Sequence, residues 1–338
     1  MNNTSQCIGD VNIEGESTIK ILVYSAIALV SLLGNSLLIL VFFRSNSVKK
    51  ATNVFIISMA ASDLFFPVFL IPRLIIQTVT GLSQNVFLIH GAMGSFLCKI
   101  SNFFTDMSIA VSTHSLVMIT MERFLAIVFP FRIRQLSSKA RLYAILMVWI
   151  IAMGIHSPYF YTYRLTSSGS CSHNWEPAFN HEITHTRFYT AQFVVVVILP
   201  FTLITVLYSV MVCCLFLNKD KLIIHRPSKD ASKRRSEAKE LRMLKIAATI
   251  VIAFALCWGP FNIIQFFHLF APRKLENIDC KIKHMLSQVA LMMATANCTV
   301  NPIVCLVYLR NYRLQESLAS LRSQFSNISK GSQRETEL

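Results

Sequence analysis

Glu122 and Arg123 stand side by side in the stretch LVMITMERFLAIVFP, an otherwise apolar run from Leu116 to Pro130. No nucleophile or metal ligand accompanies them. What such a pair can do is neutralise itself and exchange partners. Asp63, in MAASDLFF, is a second ionisable group inside an apolar run, and Asn35, Ser112, Asn297 and Asn301 are polar residues in similar settings. Ionisable groups within membrane segments are costly and mark functional sites. A lone carboxylate at bilayer depth wants a cation or a proton. Asp63 therefore admits two readings: a hard-cation site for sodium, completed by hydroxyl and amide oxygens, or a protonated carboxyl in a structural hydrogen-bond cluster.

The elements that must position these residues follow from composition. The chain of 338 residues is 54% hydrophobic and only 14% charged, and its mean hydropathy is +0.52. A soluble domain carries nearer a quarter charged residues. The apolar residues fall into seven segments of membrane-crossing length, approximately 21–43, 53–77, 95–128, 141–163, 188–217, 242–270 and 285–309. Lipid offers the backbone no hydrogen-bond partners, so spanning segments are helices or closed barrels. These runs are too continuously apolar for alternating barrel strands. The expectation is an all-α membrane protein: a tail over 1–20, a seven-helix bundle over 21–309 and a tail over 310–338. Pro200, Pro260 and Pro302 fall inside helices five, six and seven, where each removes a backbone hydrogen bond and can kink its helix.

The net charge of +15 would suggest nucleic acid in a soluble protein, but its distribution excludes that reading. Arg44, Lys49, Lys50, Arg132, Arg134, Lys139 and the run from Lys219 to Lys245 all fall on one side of the bundle. Positive residues mark the cytoplasmic side. The N-terminus is then outside, the C-terminus inside, and the basic loops lie near anionic lipid. The segment before Ile21 lacks the basic and apolar regions of a cleavable signal. Asn2 and Asn3 open glycosylation sequons on the outer side. Cys7, Cys98, Cys171 and Cys280 also fall there, in an oxidising compartment, which argues for two disulfides. Three pairings are open. Cys98, at the top of helix three, and Cys171, in the loop after helix four, are the natural pair, which leaves Cys7 with Cys280.

The motifs in order resemble the rhodopsin-like (class A) G-protein-coupled receptors along nearly the whole chain. GNSLLILV carries Asn35, MAASDL carries Asp63, Cys98 precedes MERF, Trp149 falls in helix four, FALCWGP carries Trp258 and Pro260, and NCTVNPIVC carries Asn301 and Pro302. The resemblance implies that Arg123 engages a heterotrimeric G protein once helix six swings outward, with Glu122 holding it at rest. Glu240 falls where some members keep an acid that clamps this arginine. Tyr208 matches a tyrosine that supports the active arginine, and Phe254 and Trp258 match the aromatic switch below the ligand pocket. Asp63, Ser112, Asn297 and Asn301 match the family's sodium pocket, which turns the reading of Asp63 towards sodium; no other cofactor is implied. Phe124 replaces the usual tyrosine after the arginine, and Cys305 replaces the tyrosine of N-P-x-x-Y.

Thr295 stands where an opsin needs its lysine, and Thr105 where an aminergic receptor needs an aspartate, with Asp106 next to it. SGSCSHNWEPAF, with Cys171, Trp175 and Glu176, is similar to the outer loop of the neuropeptide Y, orexin and RFamide receptor groups. The resemblance therefore implies an extracellular peptide ligand, its basic groups meeting Asp106, Glu176 or Glu182, with Gln77, Asn262, Gln265 and His268 as polar contacts. Arg73, in the upper part of helix two, favours instead a small carboxylic or lipid acid, because guanidinium suits bidentate carboxylate recognition. In the tail, Leu314, Leu318, Leu321 and Phe325 recur at helical spacing, as in an amphipathic helix lying on the inner leaflet. Its serines are candidate sites for arrestin recruitment, and the terminal Thr336-x-Leu338 fits a PDZ-domain ligand. A transporter would show repeats, paired broken helices and several midplane charges. An enzyme would need a second catalytic group near a nucleophile. Neither pattern is found.

Overall fold

The computed structural model describes residues 13–44, 51–81, 86–129, 137–224, 231–276 and 278–335, without the side chains of 13–16, 51–53, 138, 215–224, 231–243, 276 and 308–335. Among the described residues, seven helices are long and apolar enough to cross a membrane. We label them in chain order. α1 is Ile13–Arg44. α2 is Ala51–Asp63, continued through a π-helical turn at Phe66–Leu70 into Ile71–Thr80. α3 is Gly91–Val128 and α4 is Ser138–His156. α5 is His181–Phe193, continued through a π-helical turn at Val194–Ile198 into Leu199–Ile224. α6 is Ala231–Phe270 and α7 is Cys280–Glu335. The chain is a seven-helix bundle, as its apolar runs require.

Local chemistry sets the helix ends. The Ser137 hydroxyl accepts from Ala140 N–H at 3.1 Å and caps α4. Asn180 Oδ1 accepts from Ile183 N–H at 3.1 Å and caps α5. That cap starts α5 at His181, ahead of the expected residue 188, and places Glu182 in its first turn rather than in a loop. Gly81 ends α2 in the left-handed conformation, with φ 67° and its N–H on Gln77 O. The prolines act unequally. The π turn of α5 lies immediately before Pro200, and a second π turn contains Pro67, which the sequence reading did not single out. A proline that cannot donate leaves a carbonyl unmatched, and one widened turn absorbs the mismatch. Pro260 and Pro302 sit inside helices that continue through them.

α3 is the axis of the bundle, buried at positions from Gly94 to Arg123. One core cluster joins Leu38 of α1, Met59 of α2, Leu116 and Ile119 of α3, Ile250, Phe254 and Trp258 of α6, and Cys298 and Cys305 of α7. A second joins Met107 and Val111 of α3 to Val148 and Ala152 of α4. Polar ties fix the pairings. Trp149 Nε1 donates to Ser58 Oγ at 2.9 Å between α4 and α2, and Asn35 Nδ2 donates to Cys298 O at 2.9 Å between α1 and α7. α1 approaches α7 so closely at Gly34 that a Cβ there would stand 2.9 Å from Pro302 Cβ.

Between α4 and α5 the chain forms an antiparallel hairpin, β1 (Tyr163–Leu165) against β2 (Cys171–His173). A Cys98–Cys171 disulfide pins this hairpin to α3. Cys280 is also disulfide-bonded; Cys7, its expected partner, lies outside the described residues, as do Asn2 and Asn3. α7 runs without a break to Glu335, so the expected amphipathic segment is not set apart as a helix of its own. The side chains of that segment, and Thr336–Leu338, lie outside the described residues. Because the disulfide closes a sequence separation of 73 residues, Cys98→Ala is expected to destabilise the fold by about 2–5 kcal/mol, read as a lowered unfolding temperature of the purified protein.

Candidate functional site

Three polar sites are strung along α3. At one end, Glu122 and Arg123 are 4% and 6% exposed. Arg123 Nη2 lies 3.3 Å from Glu122 Oε2, so the two charges are buried together and neutralise each other. Phe124 packs against Phe129 with ring centres 5.9 Å apart. Tyr208 of α5 is half-buried and faces Thr120 and Arg123. Glu240 lies on α6, but its side chain is outside the described residues, and with it the expected clamp on Arg123. Cys305 is buried in the main core.

Midway along the bundle lies Asp63, 1% exposed. Its Oδ1 accepts from Ser112 Oγ at 3.0 Å and its Oδ2 from Asn301 Nδ2 at 2.7 Å. Ser62 Oγ is 3.2 Å from Ser112 Oγ, and Ser108 Oγ donates to Ser62 O at 2.7 Å. Asn297 is buried on α7. The structure therefore brings Asp63, Ser112 and Asn301 into direct contact.

At the other end, beside the disulfide, a cavity of about 560 Å³ opens between α3, α5 and α6. Phe254 and Trp258 line it, with their rings 6.2 Å apart. Asp106, Asn262, Gln265 and His268 line it as well. Among the described residues of this lining, Asp106 is the one acid, and there is no lysine or arginine. The other expected contacts lie elsewhere. Thr105 is buried, with its hydroxyl returned to Ser101 O at 2.7 Å. Arg73 donates to Ser101 Oγ at 3.2 Å and Asn102 Oδ1 at 3.1 Å, and it covers the Phe87 ring at 5.1 Å. It is held between helices, within electrostatic range of Asp106 but not on the cavity wall. Gln77 is half-buried near the Gly81 end of α2. Trp175 is 7% exposed, packed against Phe188 at 5.2 Å. Glu176 is exposed, and its carbonyl accepts from Arg164 Nη2 at 2.8 Å.

The sequence reading missed the partners that hold Asp106. Tyr159 OH donates to Asp106 Oδ2 at 2.6 Å. Gln192 Nε2 reaches Tyr159 OH at 3.2 Å and His156 Nε2 at 2.7 Å. His156 is 1% exposed, with Nδ1 against Ala152 O at 2.8 Å. Asp106, His156 and Gln192 all line the cavity. The signal available was a histidine three residues before Tyr159 at the end of an apolar run, opposite a glutamine in another; no spacing rule joins residues on different helices.

Seven crossing helices, a disulfide-pinned hairpin over an inter-helix cavity and a buried Glu–Arg pair at the opposite end define a multi-pass membrane receptor rather than an enzyme. The chain belongs to the 7 transmembrane receptor (rhodopsin family), whose model matches residues 34–305. It is 26% identical over 325 residues to a QRFP-like peptide receptor of Branchiostoma floridae, covering 93% of this chain and 80% of that one. It is 28% identical over 302 residues to galanin receptor 2b of Danio rerio, covering 88% and 73%. The pyroglutamylated RF-amide peptide receptor of Mus musculus is 28% identical over 298 residues, covering 84% and 65%.

A hydrogen bond to a charged group contributes about 1.5–3 kcal/mol. Tyr159→Phe, which removes the donor facing Asp106, is therefore expected to destabilise the purified receptor by an amount in that range, read by thermal unfolding. An unchanged transition would mean that water or Gln192 replaces the hydroxyl at no cost.

Proposed function

We propose that the chain is a plasma-membrane receptor with its N-terminus outside, that it binds a peptide with a cationic group in the α3–α5–α6 cavity, and that it signals through a heterotrimeric G protein. The observation that carries the ligand class is the lining itself: one carboxylate, Asp106, with no lysine or arginine. A cationic ligand group balances it, while Asn262, Gln265 and His268 suit peptide amides. The similarity to QRFP-like, galanin and RF-amide peptide receptors supports the same reading. The acid-binding alternative is less favoured, because Arg73 lies off the cavity wall with Nη1 engaged by Ser101 and Asn102.

Occupancy of the cavity acts on Trp258 and Phe254, and α6 then moves away from α3. Arg123 leaves Glu122, and Glu240 where it clamps, for the G protein, with Tyr208 in support. Arrestin, anionic lipid and a PDZ-domain protein at Thr336–Leu338 are the further partners proposed for the cytoplasmic side. The Asp63 site has the right chemistry for a hard monovalent cation, since a buried carboxylate and the Ser62 and Ser112 hydroxyls present oxygen donors. Asp63, Ser112, Asn297 and Asn301 would hold sodium there, and the ion would supply the counter-charge to the carboxylate.

The test is a screen of amidated and unamidated cationic peptides against carboxylic and lipid acids in cells expressing the receptor, reading calcium and cyclic AMP. A peptide response is expected, weakened about 10–100-fold by Asp106→Asn at equal surface expression, the range of one charge-assisted contact. A response to acids alone, abolished by Arg73→Ala, overturns the peptide reading. For the cation, the purified receptor is expected to melt a few degrees higher in sodium chloride than in choline chloride. That difference should vanish in Asp63→Asn; equal melting of the parent in both salts counts against sodium.

A further inference from the structure

Three histidines outside the proposed peptide contacts converge at the disulfide end of the bundle. His181 and His185 lie one turn apart on α5, so their side chains share a face. His173 is the last residue of β2 and reaches them from the hairpin. The ring centres of His173 and His185 are 5.2 Å apart, those of His181 and His185 5.2 Å and those of His173 and His181 6.4 Å. We propose that His173, His181 and His185 form a binding site for Zn2+, held by three imidazole nitrogens with a water in the fourth position.

The geometry points to zinc. Bonds of about 2.0–2.1 Å to imidazole nitrogens in a tetrahedral array place ring centres about 5 Å apart. Two of the three separations already have that value, and the third must close by about 1 Å. Among the described residues there is no ready-made cluster of three or more His, Cys, Asp or Glu ligands. Closure is therefore a rotation of the His181 or His173 ring on binding.

The donor atoms are available. Neither ring nitrogen of His173 has a hydrogen-bond partner, nor does His185 Nε2, although all three atoms are buried. His181 Nδ1 accepts from Trp175 N–H at a long 3.4 Å, which puts the ring proton on Nε2; ligation through Nε2 moves that proton to Nδ1 and gives up this weak contact. Unmatched buried nitrogens are unfavourable, and coordination would satisfy one on each ring. Burial, reinforced by His185 and His181, pushes the His173 imidazole down to about 4. It is neutral at physiological pH, the form that ligates metal. Tyr163, Trp175 and Tyr189 enclose the His173 ring with centres 5.1, 5.6 and 5.4 Å away. An all-imidazole set selects zinc or copper over magnesium and calcium, which prefer oxygen. His185 also lines the cavity, so a bound ion would tie the hairpin to the cavity wall. The site does not depend on the ligand being a peptide.

The experiment is equilibrium dialysis of the purified full-length receptor against Zn2+ at about pH 7, with Mg2+ in parallel. One zinc per receptor is expected, with no magnesium, and with affinity falling as the pH is lowered because protons compete with the metal for the ring nitrogens. His185→Gln and His181→Gln should each weaken binding at least about tenfold. His284→Gln, an exposed histidine outside the cluster, should leave it unchanged. Metal-free thermal unfolding of each variant confirms that it is folded, and zinc should raise the unfolding temperature of the parent but not of the His181→Gln, His185→Gln double variant. Binding that persists in the double variant, falls equally in His284→Gln or is absent from the parent overturns the site. So does a cluster that responds to acid and not to zinc.

Discussion

A charge removed from water must be neutralised or hydrogen-bonded within reach, and this constraint organises the interior around α3. Three buried charges along that axis meet it differently. Arg123 is neutralised by its own neighbour, Glu122, at 3.3 Å. Asp63 is held by donors from two other helices, Ser112 of α3 and Asn301 of α7. Asp106 is held by Tyr159, backed by Gln192 and His156. The three solutions differ in how many helices they commit. The pair at 122 and 123 is formed by neighbours on one helix, with Tyr208 of α5 facing the arginine. Asp63 ties three helices together and fixes their register.

That difference maps onto what each site is proposed to do. A switch must hold two arrangements of similar energy, and the proposed exchange of Arg123 between Glu122 and a G protein is of that kind. A ligand site must be preorganised, so that binding does not have to order its groups first. The Tyr159–Gln192–His156 network supplies this by fixing the Asp106 carboxylate before any ligand arrives. Between the two sites runs a continuous stretch of core, from Trp258 and Phe254 through Ile250 and Ala247 on α6. It gives the proposed movement of α6 a packed path from cavity to arginine.

The helices were legible in the sequence because lipid leaves a spanning backbone few alternatives: run length alone marked seven of them. The Asp63 cluster was legible through the family's motifs, and the Cys98–Cys171 pairing through its compartment and position. What escaped was whatever depends on how one helix is rotated against another. Asp106 was kept as a candidate on its adjacency to Thr105, but its partners sit on other helices and share no motif with it. Arg73 reads as an anion site because a guanidinium near a vestibule invites that reading, yet its Nη1 is turned to Ser101 and Asn102 of α3 and it lies off the cavity wall. The early start of α5 turned on a single cap at Asn180, beneath the resolution of a hydropathy argument.

Cys305 sharpens the problem of the released arginine. Where the family keeps a tyrosine, this chain has a smaller apolar side chain buried in the core, 4% exposed, and a thiol is a weak hydrogen-bond donor. The active arrangement of Arg123 therefore draws less support from α7 than the motif implies. Tyr208 already faces Arg123 and Thr120 from α5, so the burden of holding the extended arginine falls on α5. α5 is also the helix that carries a widened π turn at Val194–Ile198, the Gln192 of the Asp106 network and two of the three clustered histidines. A helix that touches the cavity, the histidine cluster and the arginine can couple all three. On the proposed mechanism, the displaced support moves the weight of activation from α7 towards α5.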